Sequence, residues 1–195
     1  MDMKKKQKKK NLSRDHILES ALKVIGHQGM GNLTHRSVAA KANVAHSTVS
    51  YYFRTIDDIA SAAFKKIQIE NRNFMDEQNA SLADTGKKRT PRKLMEFAAE
   101  ISKQEFDSGY ILQAEQELLL YSTKNEQLRA EYSDYVNKGC EAFDNFLREC
   151  GYKNPNGLLI HAFWSGYEKS ALEMPERYDF SDMADQAMQI IKTFK

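Results

Sequence analysis

A short segment near the amino terminus carries side chains that can read DNA bases. Their polar groups are short or planar, so they can approach base edges in a major groove closely. Helical spacing places them on one face, and it directs Val49, Tyr52 and Phe53 toward a core. The candidate reading face consists of His46, Ser47, Ser50 and Tyr51.

Two short helices joined by a tight turn are predicted to present that face. Thr34 can cap the first helix, which is apolar at Val38, Ala39 and Ala42. Asn43 lies where the chain must turn, and asparagine is one of the few residues besides glycine that tolerate positive φ. A second helix should then begin at about Ala45. This is helix-turn-helix architecture, although two amphipathic helices and a turn are common in any all-helical protein.

The distribution of charge supports a DNA-binding head. Residues 1–66 hold 13 lysines and arginines against 5 acidic residues, a balance of +8. The remaining residues hold 16 against 22, a balance of −6, so a net charge of only +2 conceals a basic head and an acidic body. We therefore expect a polyanionic partner to meet the head.

With these features, the segment resembles the DNA-binding domain of TetR-family transcriptional regulators. That domain has a threonine-capped helix, a tight turn, a short recognition helix ending in an aromatic pair, and an acidic start to the next helix. The resemblance covers Ser13 to about Phe64. The matching residues are Thr34, Val38-Ala39, Ala42-Asn43-Val44, Thr48, Tyr52-Phe53 and Asp57-Asp58-Ile59.

The resemblance implies a set of DNA-contacting residues. Thr34 and Tyr52 would hold phosphates, and Arg36 would reach a guanine edge, because a guanidinium can bond bidentately to O6 and N7. Ser50 stands where the family usually has tyrosine, and Ile56 replaces a lysine that commonly grips a phosphate, so we expect Arg54 to substitute for it. The complete predicted set is Thr34, Arg36, Ala45, His46, Ser47, Thr48, Ser50, Tyr51, Tyr52 and Arg54.

The chain is expected to divide into three parts. Residues 1–12, with six lysines among the first ten residues, are predicted to be a disordered arm. Such an arm could follow the phosphate backbone or enter the minor groove, or it could be a solubilising tail. Residues 13–60, beginning with a helix capped by Ser13, would form the DNA-binding domain, and residues 61–195 a helical body.

Helical periodicity continues through the body, so the predicted fold class is all-α with about nine helices. Thr55 and Asp58 resemble a capping box for the helix that links head and body. Thr90-Pro91 predicts the start of the next helix after a polar loop. The later helices are expected to begin near Tyr110, Asn125 and Asn154, with Ser181 capping the last.

The resemblance further implies that the body dimerises and binds a small-molecule effector. The last two helices would pair with those of a second subunit as a four-helix bundle, although their apolar stripes could instead pack within one chain. The predicted interface residues are Leu159, Phe163, Gly166, Ala187 and Ile191. The predicted effector-pocket residues are Phe97, Ile101, Leu119, Tyr121, Phe143 and Trp164.

Other classes of protein receive little support. No apolar run approaches the roughly 20 residues of a membrane span, and the two cysteines indicate reduced thiols in a cytoplasmic protein, with a redox sensor as the alternative. Acidic residues of the body and His161 lack metal-ligand spacing, and no nucleophile motif is present, so we expect neither an enzyme nor a cofactor.

The prediction is a dimeric, sequence-specific repressor released from a palindromic operator by an effector. The alternative is a helical protein-binding adaptor with a non-specific basic head.

Overall fold

In a computed structural model, the described residues are 2–84, 86 and 88–195, with side chains described from Arg14 onward. This part of the chain contains α-helices and short 3-10 turns, which confirms the all-α prediction. None of its helices combines the length and apolar composition that crossing a membrane requires. The nine α-helices described are α1 (Asp2–Gln28), α2 (His35–Ala42), α3 (His46–Tyr52), α4 (Ile56–Asp84), α5 (Pro91–Asp107), α6 (Ile111–Ser122), α7 (Glu126–Glu149), α8 (Gly157–Glu173) and α9 (Phe180–Ile191).

The amino-terminal boundary differs from the sequence prediction. The first helix begins at Asp2 rather than at Ser13, so the lysine-rich segment expected to be a disordered arm is continuous with α1. Lysine and glutamine have high helix propensity. Extending an existing helix also avoids the cost of nucleating a new one. The expected Ser13 cap therefore does not start the helix.

One compact unit contains residues 1–69 together with residues 108–129. It includes α1, α2, α3, the first part of α4, and α6, which the sequence assigned to the body. α6 approaches α1 closely: a Cβ added to Gly26 would lie 2.1 Å from the carbonyl oxygen of Tyr110. The fully buried apolar side chains of this unit include Ile17, Leu22, Ile25, Val38, Val49, Ile59, Leu112 and Leu118.

The second compact unit contains residues 70–107 and 130–195. In this unit α5 packs against α9, and the side chains of Met183, Ala187 and Ile191 are fully buried. Gly157 at the start of α8 permits another close approach, since an added Cβ would lie 2.8 Å from the carbonyl oxygen of Cys140. The two compact units divide the chain after residue 69 and place α6 with the first unit, and the functional division expected after residue 60 stays a prediction.

The helix caps match the sequence prediction at two positions and correct it at another. Thr90 Oγ1 accepts from the Lys93 amide at 3.2 Å, as expected for the start of α5. Thr55 and Asp58 form the predicted box at α4. At α9 the cap is Asp179, whose carboxylate accepts from the Ser181 amide at 2.8 Å. Aspartate caps as effectively as serine, and here it lies at the position that precedes the first helical turn.

Candidate DNA interface

Thr34 and Ser37 fix the start of α2. Thr34 Oγ1 accepts from the Ser37 amide at 3.0 Å, and Ser37 Oγ accepts from the Thr34 amide at 2.9 Å, which completes a reciprocal capping box. The neighbouring Leu33 and Val38 are both buried, as a hydrophobic staple requires. This anchoring leaves Thr34 and Arg36 exposed on the outer side of the motif.

Asn43 makes the turn between α2 and α3. Its φ is 52° and its ψ is 46°, and its amide donates to the carbonyls of Ala39 and Ala40. The left-handed conformation that the sequence suggested is therefore confirmed. The turn is further held by His16 of α1, whose Nε2 lies 2.9 Å from the carbonyl oxygen of Ala42.

α3 separates an inward face from an outward one. Val49 is fully buried, and Phe53 at the helix end is also buried, which locks the helix against the rest of the first unit. Tyr51 is 70% exposed and meets Tyr52 edge to face, with ring centroids 5.2 Å apart. The remaining exposed residues of this face are Ala45, His46, Ser47 and Ser50, whereas Thr48 and Tyr52 are half-buried.

The residues that follow α3 are held by the amino-terminal cap of α4. Asp58 Oδ2 accepts from the amides of Arg54 and Thr55 at 3.0 and 2.9 Å. These bonds, with the one from the Thr55 backbone the strongest, lower the pKa of Asp58 and keep it charged. The side chain of Arg54 is left exposed, while Ile56, at the position of the family's lysine, is half-buried.

His35 is a structural contributor that sequence reasoning did not identify. Its Nε2 lies 2.9 Å from the carbonyl oxygen of Phe53, so the start of α2 is tied to the end of α3. Its ring also lies beside that of His46, with centroids 6.0 Å apart. No helical or strand spacing relates His35 to Phe53, and therefore no local pattern could have indicated this contact.

The structure separates the predicted pocket residues into two groups. Phe97, Ile101, Phe143 and Trp164 are half-buried and all belong to the second unit. Leu119 and Tyr121 lie on α6 in the first unit, and Tyr121 OH donates to Asp57 Oδ1 at 2.5 Å. α6, which carries these two residues, packs with α1, and the role of all six residues in an effector pocket stays a prediction.

Two buried carboxyl groups in the second unit were also missed. Glu168 accepts from Ser102 Oγ at 2.5 Å, and Trp164 Nε1 donates to that same Ser102 oxygen at 2.9 Å. Glu105 accepts from Asn71 Nδ2 at 2.9 Å. Burial raises the pKa of Glu105 to about 7 and that of Glu168 to about 8. Acidic residues on a helix usually face solvent, so no local pattern indicates that these two are buried.

The predicted dimer residues also fall into two groups. Ala187 and Ile191 are fully buried within the single chain, where the apolar stripe of α9 packs on α5, which favours the alternative of packing within one chain for these two residues. On α8, Leu159 is 45% exposed and Gly166 is exposed, while Phe163 is half-buried. Among the described residues of the second unit, the large apolar side chains that are exposed are Leu158, at 59%, and Leu159, both on α8.

The arrangement of the first unit agrees with comparisons with known proteins. Residues 17–63 match the model for bacterial regulatory proteins of the tetR family. No curated protein sequence matches the chain significantly. Within the part of the chain that the structure describes, no group of three or more His, Cys, Asp or Glu side chains could hold a metal ion.

Solved structures share the fold over nearly the whole chain. A TetR-family member from Streptomyces coelicolor is 22% identical, with a TM-score of 0.70, and the match covers 91% of this chain and 96% of that one. The multidrug binding protein EbrR complexed with ethidium is 21% identical, with a TM-score of 0.66 and coverages of 91% and 97%. A transcriptional regulator from Saccharomonospora viridis in complex with choline is 18% identical, with a TM-score of 0.71 and coverages of 93% and 96%.

Proposed function

We propose that this chain, which belongs to the TetR family of bacterial transcriptional regulators, acts as a homodimeric repressor that binds a palindromic operator and is released by a small-molecule effector. A single short recognition helix contacts too few base pairs to define a site, and a two-fold dimer doubles the sequence that is read. A dimer seated on a promoter would block polymerase.

The exposed face of α3 is the observation that supports this proposal most strongly. Tyr51 projects from a helix that is held at its start by the Asn43 turn and at its end by buried Phe53. Rigidly held polar groups on an exposed helix are what base recognition in the major groove requires. Arg36 and Arg54 flank the face as exposed cations suited to guanine or phosphate contacts.

Selection of preferred sites from random double-stranded DNA, with the full chain and competitor DNA, tests the DNA-binding part. We expect a palindrome whose half-sites are separated by about one helical turn. Recovery of no preferred sequence, with binding that depends only on salt, would instead support the helical adaptor with a non-specific basic head.

The contact proposed for Arg54 has its own test on the selected site. If Arg54 grips a phosphate, Arg54→Ala should weaken binding and reduce the salt slope by about one. Arg177→Ala provides a matched control, because Arg177 is exposed in the second unit and lies outside the proposed interface. Equal slopes for wild type and Arg54→Ala would reject the phosphate contact.

For dimerisation, the exposed face of α8 is the supporting surface. Leu158 and Leu159 expose apolar area that a second copy would cover, and exposed Gly166 would allow close helix approach. Sedimentation measurements should show a dimer for the wild type and a monomer for Leu159→Glu. Leu120→Glu is the control, since Leu120 is equally apolar and 63% exposed but lies on α6. A dimer that survives Leu159→Glu would remove α8 from the interface.

Effector binding is supported by the fold and by the ligands of two structural neighbours. Ethidium and choline are the molecules bound to the two proteins described above, and both are organic cations. In this chain burial favours the protonated forms of Glu105 and Glu168, so a cation bound beside either carboxyl group would lower its pKa and be held by the ionised form. Choline and ethidium are therefore the first probes. We expect either probe to raise the thermal midpoint of the protein and to release the protein from the selected operator. If neither probe changes either quantity, the cationic assignment is rejected.

A further inference from the structure

The proposed DNA-reading motif consists of α2, the Asn43 turn and α3. α6 contacts the segments at both ends of this motif through two side chains one helical turn apart. Glu117 Oε2 accepts from the Met30 amide at 2.9 Å, just before α2 begins. Tyr121 OH donates to Asp57 Oδ1 at 2.5 Å, just after α3 ends. Residues four apart lie on the same face of a helix. One face of α6 therefore holds the motif at its start and at its end.

The contact at the start continues into the cap of α2. Met30 opens a 3-10 turn, Met30–Asn32, whose first amide needs an acceptor, and the Glu117 carboxylate supplies one. The last residue of that turn, Asn32, accepts from Ser37 Oγ at 2.7 Å. Ser37 is the partner of Thr34 in the capping box. A displacement of Glu117 would therefore reach the proposed phosphate contact at Thr34.

At the other end, the contact acts on the cap of α4. Asp57 precedes Asp58, whose carboxylate receives the Arg54 and Thr55 amides. Donation to the carboxylate of Asp57 raises the pKa of Tyr121, which keeps its hydroxyl protonated as a donor at neutral pH. Tyr121 consequently holds the segment that follows α3 and carries Arg54.

The amino-terminal end of α6 provides the support for both contacts. Gly26 of α1 lies so close to the Tyr110 backbone that no side chain fits between the helices. Tyr110 OH also bonds to the carboxylate of Glu19. The amino-terminal end of α6 is thus fixed against α1, which restrains the positions of Glu117 and Tyr121 further along the helix.

We propose that Glu117 and Tyr121 are positioning residues that set the orientation of α3 for DNA without contacting DNA themselves. This inference rests on the proposed DNA-binding function. The side chains exposed on α3 would be unchanged when either contact is lost. The two α3 helices of a dimer, however, would no longer be held at one defined separation.

The test uses full-length variants and the palindrome recovered by site selection, in versions whose half-sites are moved by one base pair in either direction. Glu117→Ala and Tyr121→Phe should each weaken binding to the preferred spacing by about threefold to tenfold, as expected for one lost hydrogen bond. Their salt slopes should stay close to that of the wild type, because neither variant removes a cationic side chain. Their preference among the spacings should be weaker than that of the wild type.

Matched controls separate positioning from a general loss of folded protein. Glu126→Gln removes an exposed acid from the same unit, and Tyr152→Phe removes a phenolic hydroxyl from the other unit. Both controls should keep the wild-type spacing preference. Glu117→Gln retains an acceptor oxygen and should recover most of the affinity lost in Glu117→Ala. All measurements are made well below each variant's thermal midpoint.

Two results would overturn the inference. One is wild-type affinity and spacing preference in both Glu117→Ala and Tyr121→Phe. The other is an equal loss of affinity at every spacing, which is what a smaller folded fraction produces. Failure of the proposed DNA-binding function can be distinguished from failure of this inference, because the wild type itself would then select no palindrome.

Discussion

Replacing Glu168 with glutamine should stabilise the second unit at alkaline pH and leave its stability nearly unchanged at acidic pH. Glu168 is buried, and the loss of hydration on burial raises its pKa to about 8 from an ordinary value of 4.5. Between these values the folded chain holds a proton that the unfolded chain has released. Wild-type stability contributed by this group therefore falls as pH rises through that window.

The size of the effect follows from the shift in pKa. One pKa unit corresponds to about 1.4 kcal/mol, so complete ionisation of Glu168 would cost the folded unit on the order of 5 kcal/mol. Nearby Glu105 raises the pKa of Glu168 further by charge repulsion, so part of that cost belongs to the pair. Glutamine cannot ionise, but its amide oxygen can still accept from Ser102. We therefore expect Glu168→Gln to gain roughly 2 to 5 kcal/mol over the wild type at pH 9.

Urea unfolding followed by tryptophan fluorescence measures this difference locally. Trp164 is the single tryptophan of the chain, and it donates to the same Ser102 hydroxyl that Glu168 contacts. The free energy of unfolding would be compared at pH 5 and pH 9 for wild type, Glu168→Gln and the exposed control Glu149→Gln. The control should follow the wild type at both values.

A parallel pH dependence for wild type and Glu168→Gln would refute the reasoning. It would mean that Glu168 has similar proton affinity in the folded and unfolded chains, and hence that its surroundings hydrate the carboxylate. A variant less stable than the wild type at pH 9 would contradict the sign of the argument as well as its size.

Three further predictions concern backbone geometry and one histidine. Asn43→Ala should destabilise the first unit by about 1 kcal/mol, because alanine disfavours positive φ, while Asn43→Gly should not; thermal unfolding measures both. Gly157→Ala should cost about 1 to 3 kcal/mol, since its Cβ would lie 2.8 Å from the backbone of Cys140, whereas Gly139→Ala, in open space on α7, should be neutral or stabilising in urea titrations. His35→Ala should weaken operator binding without changing the salt slope, and a reduced slope would assign His35 a phosphate contact instead.

The DNA-reading motif was predictable from sequence because short-range rules determine it. A cap, its reciprocal partner and a residue that tolerates positive φ lie within a few positions of one another, as Thr34, Ser37 and Asn43 do. The buried positions Val38 and Val49 follow from helical period alone. Contacts such as the one from His35 to the carbonyl of Phe53 depend on tertiary structure, and no spacing rule encodes them.

The body was less predictable because an apolar stripe in the sequence does not indicate whether the same chain or a second subunit buries it. Ala187 and Ile191 have the small and branched side chains suited to an interface between subunits, yet α5 of the same chain buries them. α8 retains Leu158 and Leu159 at its surface with an equally ordinary sequence pattern. Periodicity identifies a face that needs burial, and only the fold determines whether its own chain provides the cover.

The position of α6 changes which helices belong with the proposed DNA-reading motif. From sequence, the DNA-binding domain was expected to end at residue 60, with the helix capped by Thr55 and Asp58 as the link between head and body. The structure adds α6 to the first unit, and Glu117 and Tyr121 give it hydrogen bonds to both flanks of the reading motif. The chain enters α6 from α5 and leaves it into α7, and both neighbours continue into the second unit. The first unit is therefore joined covalently to the second at the two ends of α6 as well as through α4. Substitutions on α6 are accordingly the ones expected to alter the preferred half-site spacing while leaving every residue predicted to contact bases intact.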